Sequence, residues 1–330
     1  MFSTSINMNG IVFNIYCNDK KYIDKVNKLF NKMMTNDNSV ILPRDSINIY
    51  VINDSKEYYK RHERLKQFKE KKLKPNISEY TVIDKNIYHN NDFISYLYNG
   101  DYYIISNESK YSPYYLLLEI YQKTCEANGY YIFHGNGLTI DNESYNIIGN
   151  SHSGKTTLMS KLFQIDGLPK EFLSNDRILV GSEQTLYFPI DINLDKHTIE
   201  HDKYLSKNFQ IDKEKEYVHP NSFISCYPNM DYISNTTNSN IIIPRIDLVD
   251  KHNLAVYPAD ENSLLECCFS IEDKECLRDD WIIKGKSKNE KTSEAKSIIN
   301  GLLDNYNIMC LQYGADLSGE EIYERIRKKN

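Results

Sequence analysis

This chain of 330 residues lacks Cys-x-x-Cys pairs, a surplus of basic residues and long apolar runs. Its seven cysteines include no Cys-x-x-Cys pair, which argues against a disulfide framework or a zinc knuckle. Forty Lys and Arg stand against 46 Asp and Glu, so a nucleic-acid partner is not expected. No apolar run reaches the length of a membrane span, and the first residues lack the basic and apolar regions of a signal peptide. We therefore expect a cytoplasmic protein without a membrane partner.

Residues 1–112 show an α+β pattern without any motif of a phosphate or metal site. We predict strands at 11–17 and 46–52 and helices at 21–34 and 57–73. Asn99-Gly100 between two apolar runs is typical of a hairpin turn. The second helix carries a basic run that starts at Lys60; it could dock an acidic peptide, although such runs are more often solvated. We interpret 1–112 as an N-terminal region and 113–330 as the domain that carries the chemistry.

The clearest motif is the segment from Gly149 to Thr156, which fits G-x-x-x-x-G-K-[ST], the phosphate-binding P-loop. The apolar residues 145–148 before it predict a buried strand. Residues 157–163 after it predict a helix, with Leu158 and Leu162 on one face. A strand, a glycine loop and a helix in this order are the context that distinguishes a P-loop from a chance match in a turn.

The residue types of this loop suit a nucleoside triphosphate, ATP or GTP, bound with Mg²⁺. Glycines allow backbone N–H groups to point at phosphates, and the helix that follows adds its positive N-terminal dipole. Lys155 would neutralise the β- and γ-phosphates, and the hydroxyl of Thr156 would bind Mg²⁺. The predicted nucleotide contacts are Gly149, Asn150, Ser151, His152, Ser153, Gly154, Lys155, Thr156 and Thr157.

A P-loop needs a carboxylate that helps to hold Mg²⁺, and Asp176 is the leading candidate. Apolar residues lead into it from Phe172 and out of it to Val180, and a carboxylate in such a segment is costly to bury without a partner. The alternative is an ordinary turn in which Asp176 is solvated or paired only with Arg177. His134 ends a predicted strand; if that strand lies beside the one that feeds the P-loop, His134 would reach the phosphates.

Beyond residue 112 the pattern alternates helices and strands without internal repeats. A helix opens at Pro113, and residues 138–140 and 145–148 form a predicted hairpin. A polar stretch, about 193–238, is a candidate insertion over the site. The apolar run 241–243 predicts a buried strand. Further predicted elements are strands at 130–133, 185–190 and 308–312, helices at 262–270 and 292–306, and a final helix capped by Ser318.

His134-Gly135, the P-loop and the segment Leu173-Ser174-Asn175-Asp176-Arg177 together resemble the catalytic domain of HPr kinase/phosphorylase. The core is also similar to that of kinases that phosphorylate modified peptides. The resemblance covers about residues 130–182. It implies a phosphoenolpyruvate-carboxykinase-like α/β P-loop domain with a mixed sheet, as in the C-terminal domain of HPr kinase, and leaves a homo-oligomer open.

The resemblance also implies roles for single residues. His134 would lie beside the transferring phosphoryl group, and Asp176 corresponds to the second acid of an Asp-Asp pair that follows the P-loop helix. The first acid, which the family uses as a base, is Asn175 here, and an amide cannot accept that proton. Asp176 or Asp191 could replace it, or the reaction needs no strong base. The Glu-x-Arg-Gly signature of true HPr kinases is missing.

The sequence therefore predicts an ATP- and Mg²⁺-dependent kinase that phosphorylates a hydroxyl of a peptide, protein or small molecule. The catalytic candidates are His134, Lys155, Asn175 and Asp176, with Thr156 and Asp176 as metal ligands. The alternative is a nucleotide-binding regulatory module with weak or no transfer, which Asn175 favours. A switch NTPase ranks last, because Arg177, Arg245 and Arg278 lie in no arginine-finger motif.

Overall fold

The computed structural model describes residues 1–30, 46–74, 77–82, 85–89, 93–107, 113–209, 215–268 and 288–328. They form two compact units, one within residues 1–128 and one that starts at Gly129. Each unit combines helices with β-sheets, and the sheets contain both parallel and antiparallel pairs, so the chain has a mixed α/β architecture. Within the described ranges, no helix has both the length and the apolar character needed to cross a lipid bilayer.

The first unit is built on an eight-stranded sheet with the order β1-β2-β3-β8-β7-β6-β5-β4. Its strands are β1 (Phe2–Met8), β2 (Ile11–Cys17), β3 (Ser46–Asn53), β4 (Glu70–Lys74), β5 (Ile77–Val82), β6 (Lys85–His89), β7 (Phe93–Tyr98) and β8 (Asp101–Ser106). Its helices are α1 (Lys20–Phe30), α2 (Ser55–Leu65) and α3 (Pro113–Ala127). Strands β2, β3 and β8 run parallel, and the other neighbours are antiparallel.

The charged helix predicted at 57–73 is too long. Helix α2 begins after Asp54, whose carboxylate accepts the N–H of Lys56 at 2.8 Å, and it ends at the buried Leu65. The next large apolar residue after Leu65 is Phe68, which is 38% exposed. A longer helix would therefore bury little additional apolar surface against the sheet. Residues 70–74 instead form β4, which is hydrogen-bonded to β5. The end of the helix predicted at 21–34 lies outside the described residues.

The second unit contains a seven-stranded, a four-stranded and a two-stranded sheet. Its strands are β9 (Tyr131–Phe133), β10 (Gly135–Ile140), β11 (Glu143–Ile148), β12 (Lys170–Ser174), β13 (Ile178–Val180), β14 (Gln184–Tyr187), β15 (Ile192–Asp195), β16 (Lys215–Val218), β17 (Met230–Tyr232), β18 (Asn235–Thr237), β19 (Asn240–Asp247), β20 (Leu254–Pro258) and β21 (Asn307–Gly314). Its helices are α4 (Lys155–Phe163), α5 (Lys196–His201), α6 (Leu205–Asn208), α7 (Pro220–Ile224), α8 (Glu261–Leu265), α9 (Lys288–Asn305) and α10 (Gly319–Arg327).

The seven-stranded sheet, in the order β17-β12-β10-β11-β19-β21-β20, is packed on both faces. Ile242 of β19 joins a cluster with Leu158 and Leu162 of α4, whereas its neighbour Ile241 joins a cluster with Ile299 of α9. Alternate residues of a strand point to opposite faces, so a strand covered on both sides must be apolar throughout. This is the physical reason for the apolar run 241–243, and it makes β19 a rigid neighbour for β11, which leads into the P-loop.

Helix α4 is held at its C-terminal end by buried charge. The ammonium of Lys170 donates to the carbonyl oxygens of Phe163 at 2.8 Å and Ile165 at 2.6 Å. A cation there satisfies carbonyls that the last turn leaves free and complements the negative end of the helix dipole. The buried carboxylate of Asp202 accepts the hydroxyl of Ser160 at 2.5 Å on the side of the helix. The opposite end of α4 carries the P-loop, so these contacts help to fix the loop in place.

Candidate functional site

The P-loop follows β11 and is anchored by three backbone contacts. The Gly149 N–H donates to the His134 carbonyl at 3.0 Å, and the Ile246 N–H donates to the Ser153 carbonyl at 3.0 Å. The hydroxyl of Tyr313 donates to the Gly154 carbonyl at 2.7 Å. Strands β19 and β21, which are hydrogen-bonded to one another, thus hold the end of the loop from outside. The sequence did not predict the role of Tyr313, because β21 lies more than 140 residues further along the chain.

Gly154 is required by its backbone angle and by its surroundings. Its φ is 95°, and an added Cβ would lie 2.5 Å from the Tyr313 hydroxyl oxygen and 2.9 Å from Cβ of Ile246. His152, two residues earlier, also has a left-handed φ of 64°, which is uncommon for a residue with a side chain. Gly154 caps α4 without a side-chain hydrogen bond, so the first turn of this helix lacks a side-chain acceptor for its N–H groups. Such a helix start suits an anion.

Lys155 is buried, with 6% of its surface exposed. Its ammonium donates to the Asn150 carbonyl at 2.9 Å, so it folds back along the loop. Burial lowers the pKa of Lys155 to about 8, although the charges of Asp176 and Cys267 oppose this shift. A phosphate group bound beside this ammonium would raise the pKa again, because an anion favours the charged form.

Asn175 lies against the P-loop helix. The hydroxyl of Thr156 donates to Oδ1 of Asn175 at 3.4 Å, and Asn175 is only 1% exposed. Its Nδ2 atom is buried and has no hydrogen-bond partner among the described residues. An unsatisfied buried amide costs free energy, so this nitrogen favours a polar partner. Asn175 therefore contacts the first turn of the helix that follows the loop, and its amide cannot act as a base.

His134 and Asp176 form a pair in the same site. Nε2 of His134 lies 3.0 Å from Oδ1 of Asp176, and because a carboxylate can only accept, this nitrogen carries the proton. The Asp176 N–H donates to Oδ1 of Asn136 at 2.9 Å, and the Gly135 N–H donates to the Asp176 carbonyl at 3.3 Å. Asp176 has a φ of 66°, a left-handed conformation that these contacts hold in place.

The carboxylate of Asp176 is ionised at neutral pH. Burial raises its pKa, but the hydrogen bond from His134 and the charges of His134, Arg177 and Lys155 outweigh burial, and the net pKa lies below the ordinary value of 3.8. Asp176 therefore brings a negative charge into a site that Lys155 supplies with a positive one. The alternative in which Asp176 is paired only with Arg177 does not describe this geometry, since His134 is its hydrogen-bond partner.

The strand that ends at His134 is not beside β11, which corrects the arrangement considered from the sequence. Strand β9 belongs to the four-stranded sheet, whereas β11 belongs to the seven-stranded sheet. His134 reaches the P-loop because β10 starts at the next residue and Gly135 pairs with Ile148, the last residue of β11. Asp176 lies in the connection between β12 and β13, which crosses between the same two sheets. His134 and Asp176 meet because the β9–β10 and β12–β13 connections pass between the two sheets at neighbouring positions.

A cleft of about 510 Å³ joins these groups. The predicted site residues that line it are His134, Ser151, His152, Gly154, Lys155, Thr156, Thr157 and Asp176. Gly149, Asn150, Ser153 and Asn175 are not among the lining residues; Gly149 and Asn175 are buried, Asn150 is exposed, and all four take part in the contacts described above. Asp191 and Arg245 are exposed and do not line the cleft, and Arg278 lies outside the described residues.

A further part of the cleft lining comes from the segment expected to be an insertion over the site. It contributes Asn193, Asp195, Lys196 and His197, while Ile246 of β19 and the exposed Leu248 just after that strand also line the cleft. Asp195 caps α5 by accepting the Thr198 N–H at 2.7 Å. The Asp at this position was a signal for a helix start, because its carboxylate can accept a backbone N–H of the first turn. The sequence did not indicate which residues of the segment would line the cleft.

The donor set at the cleft fits Mg²⁺ together with phosphate. Among the described residues, no group of three or more His, Cys, Asp or Glu side chains could hold a metal ion by itself. Mg²⁺ in nucleotide sites is usually bound by one or two protein oxygens and completed by phosphate oxygens and water. Thr156 and Asp176 provide such oxygens, and the oxygen of Asn175 lies beside Thr156.

Comparison of the chain with protein-family models finds no match, and comparison with curated proteins finds none either. The function must therefore be argued from the cleft itself.

Proposed function

We propose that this chain is an ATP- and Mg²⁺-dependent phosphotransferase of the HPr kinase-like P-loop class, acting on a hydroxyl of a peptide, protein or small molecule. One observation carries the proposal: a buried P-loop lysine and an ionised Asp176 paired with His134 line a single cleft. The ammonium group of Lys155 suits a polyphosphate, and the carboxylate of Asp176 suits a metal ion or an acceptor proton. The cysteines in the described ranges are free thiols, which suits the cytoplasm.

Each side chain has a task in this proposal. Lys155 and the loop N–H groups bind the β- and γ-phosphates, and Thr156 with Asp176 would hold Mg²⁺, which neutralises phosphate charge when bound. The acceptor oxygen bonds to the γ-phosphorus as the bond from that phosphorus to the β-phosphate oxygen breaks, and the electron pair leaves with ADP. Asp176 takes the hydroxyl proton. His134 keeps the carboxylate oriented through its 3.0 Å hydrogen bond.

A direct test combines the purified chain with ATP, MgCl₂ and a panel of hydroxyl acceptors: serine- and threonine-containing peptides, free amino acids and small alcohols. We expect a Mg²⁺-dependent increase of one phosphoryl group in the mass of at least one acceptor. Calorimetry with the same nucleotide provides the matched control for binding. Tight binding of Mg-ATP without any phosphorylated acceptor would reject the kinase and leave the second candidate.

That second candidate is a nucleotide-binding regulatory module with little or no transfer. The observation that favours it is Asn175, which lies 3.4 Å from the P-loop threonine where an acid is expected from the resemblance. With one carboxylate instead of two, the site has a single group for both the metal ion and the acceptor proton. The two candidates share the nucleotide and differ in the fate of its γ-phosphate.

Proton uptake on nucleotide binding is expected because of Lys155. Its pKa is about 8, so near pH 8 about half of the ligand-free molecules carry an uncharged amine. A bound triphosphate restores the charge, and binding near pH 8 should therefore take up about half a proton, falling toward zero at about pH 6.5. Calorimetry in two buffers of different ionisation enthalpy measures this number. The Lys155→Arg variant is the control, since its guanidinium is always charged; unchanged uptake in that variant would assign the proton to another group.

A further inference from the structure

The first unit contains a cavity of its own beneath helix α2, with a volume of about 150 Å³. Its floor is apolar and consists of Leu65, Ile94 and Ile105, which are at most 5% exposed, together with Ile87. A cavity of about this volume lined by aliphatic side chains accommodates one benzene ring. The space therefore fits one aromatic or leucine-sized side chain.

The solvent side of the cavity is basic. Arg61 and Arg64 line it and are both exposed. Arg61 is paired with Glu57 at 2.6 Å, whereas Arg64 has no ion-pair partner among the described residues. Residues 56–66 include five Lys or Arg and two Glu, although the whole chain has a net charge of −6. A guanidinium without a partner beside an apolar cavity suits a ligand that combines an apolar group with a carboxylate.

A row of tyrosines extends from the cavity across the sheet. Tyr96, which lines the cavity, is opposite Tyr103, which is opposite Tyr50, which is opposite Tyr16. Successive rings are stacked with centroids 5.1, 5.0 and 5.0 Å apart. The ring faces are used against one another, so the surface offers ring edges and hydroxyl groups, and these hydroxyls have no hydrogen-bond partner among the described residues. The row spans four strands, about 15 Å, which favours an elongated ligand.

We propose that the cavity and the tyrosine row form a docking surface for an extended peptide segment of a partner protein. One large apolar side chain of that segment enters the cavity, an Asp or Glu within two residues of it binds Arg64, and the peptide backbone follows the tyrosine hydroxyls. The basic run of α2, for which the sequence allows either a solvated face or a site for an acidic peptide, takes part in this docking surface. It does not depend on the proposed phosphotransfer, since every residue involved belongs to the first unit.

The first experiment selects heptapeptides from a phage-displayed random library on the full-length chain. We expect a consensus of one large apolar residue with an acidic residue within two positions of it. A fluorescein-labelled consensus peptide then gives Kd by anisotropy, and Arg64→Glu should weaken binding at least 10-fold. Lys56→Glu is the matched control: it makes the same charge change on an exposed residue of α2 outside the cavity, and it should change Kd less than 3-fold.

A double-mutant cycle separates the specific pair from general attraction. Replacing the acidic residue of the peptide by its amide should weaken binding to the wild type, and this change should have no further effect on Arg64→Gln. Selection of no apolar–acidic consensus, or equal losses in Lys56→Glu and Arg64→Glu with unchanged circular dichroism, would overturn the proposal. Self-association of the wild type that Arg64→Glu abolishes would overturn it as well, because the occupant would then be a second copy of the chain.

Discussion

Replacing Lys155 by methionine should weaken Mg-ATP binding about 100-fold, or about 2.8 kcal/mol, without unfolding the chain. The ammonium is buried in the loop, and methionine keeps its length while removing its charge. The bound phosphates would then lose the buried cation of the loop, and the other lysine that lines the cleft, Lys196, is exposed and therefore solvated. Isothermal titration of Mg-ATP into the variant and the wild type measures the difference.

The stability of the ligand-free chain should stay the same or rise in this variant. The folded pKa of Lys155 lies below its ordinary value of 10.5, so the unfolded chain binds more protons between about pH 8 and 10.5. The charged lysine therefore carries a cost that is fully present below about pH 8 and is relieved as the pH rises through this window. Methionine removes that cost, and Tm at neutral pH should not fall.

Lys161→Met is the matched control on the same helix. The Lys161 ammonium donates to the Leu317 carbonyl at 2.6 Å and does not line the cleft. We expect this variant to leave the affinity for Mg-ATP within about 2-fold of the wild type, because its ammonium lies outside the cleft. If Lys155→Met binds Mg-ATP as tightly as the wild type, or if its Tm drops more than that of Lys161→Met, the lysine is structural and the phosphate site is misassigned.

Asp176→Asn should lower the rate of phosphoryl transfer about 1,000-fold while Mg-ATP still binds. Asparagine tolerates the left-handed backbone that Asp176 adopts at a φ of 66°, so the turn should keep its shape. The change removes the negative charge and the proton acceptor together. Quenched-flow or steady-state measurement of phosphorylated acceptor gives the rate, and calorimetry gives the affinity.

Asn175→Asp distinguishes the kinase from the regulatory module. It adds a carboxylate beside Thr156 at a position that is 1% exposed, where the amide nitrogen lacks a partner among the described residues. A kinase should already transfer phosphate in the wild type and change less than about 10-fold in this variant. A regulatory module should be inactive in the wild type and gain transfer in Asn175→Asp. An active wild type whose rate is unaffected by Asp176→Asn would remove Asp176 from the reaction.

Local signals predicted those elements whose structure depends on nearby residues. The hairpin of β10 and β11 and the helix after the P-loop lie where the sequence placed them, and the final helix begins with Ser318 and Glu321 in a capping box. The predicted end of helix α2 was wrong because charge spacing alone cannot show where the supporting sheet stops. Helical charge pairs of the type seen between Glu57 and Arg61 are too weak to extend a helix without burial.

The sequence by itself predicted the phosphate loop, because glycines, a lysine and a threonine at fixed spacing lie within one short segment. Only the tertiary structure decided that His134 and Asp176, 42 residues apart, are hydrogen-bonded, that Asn175 contacts Thr156, and that Asn193, Asp195, Lys196 and His197 line the cleft. Those contacts depend on the points where the chain passes from one sheet to the other. Strand pairing over such distances is set by the packing of the whole core, which no local pattern encodes.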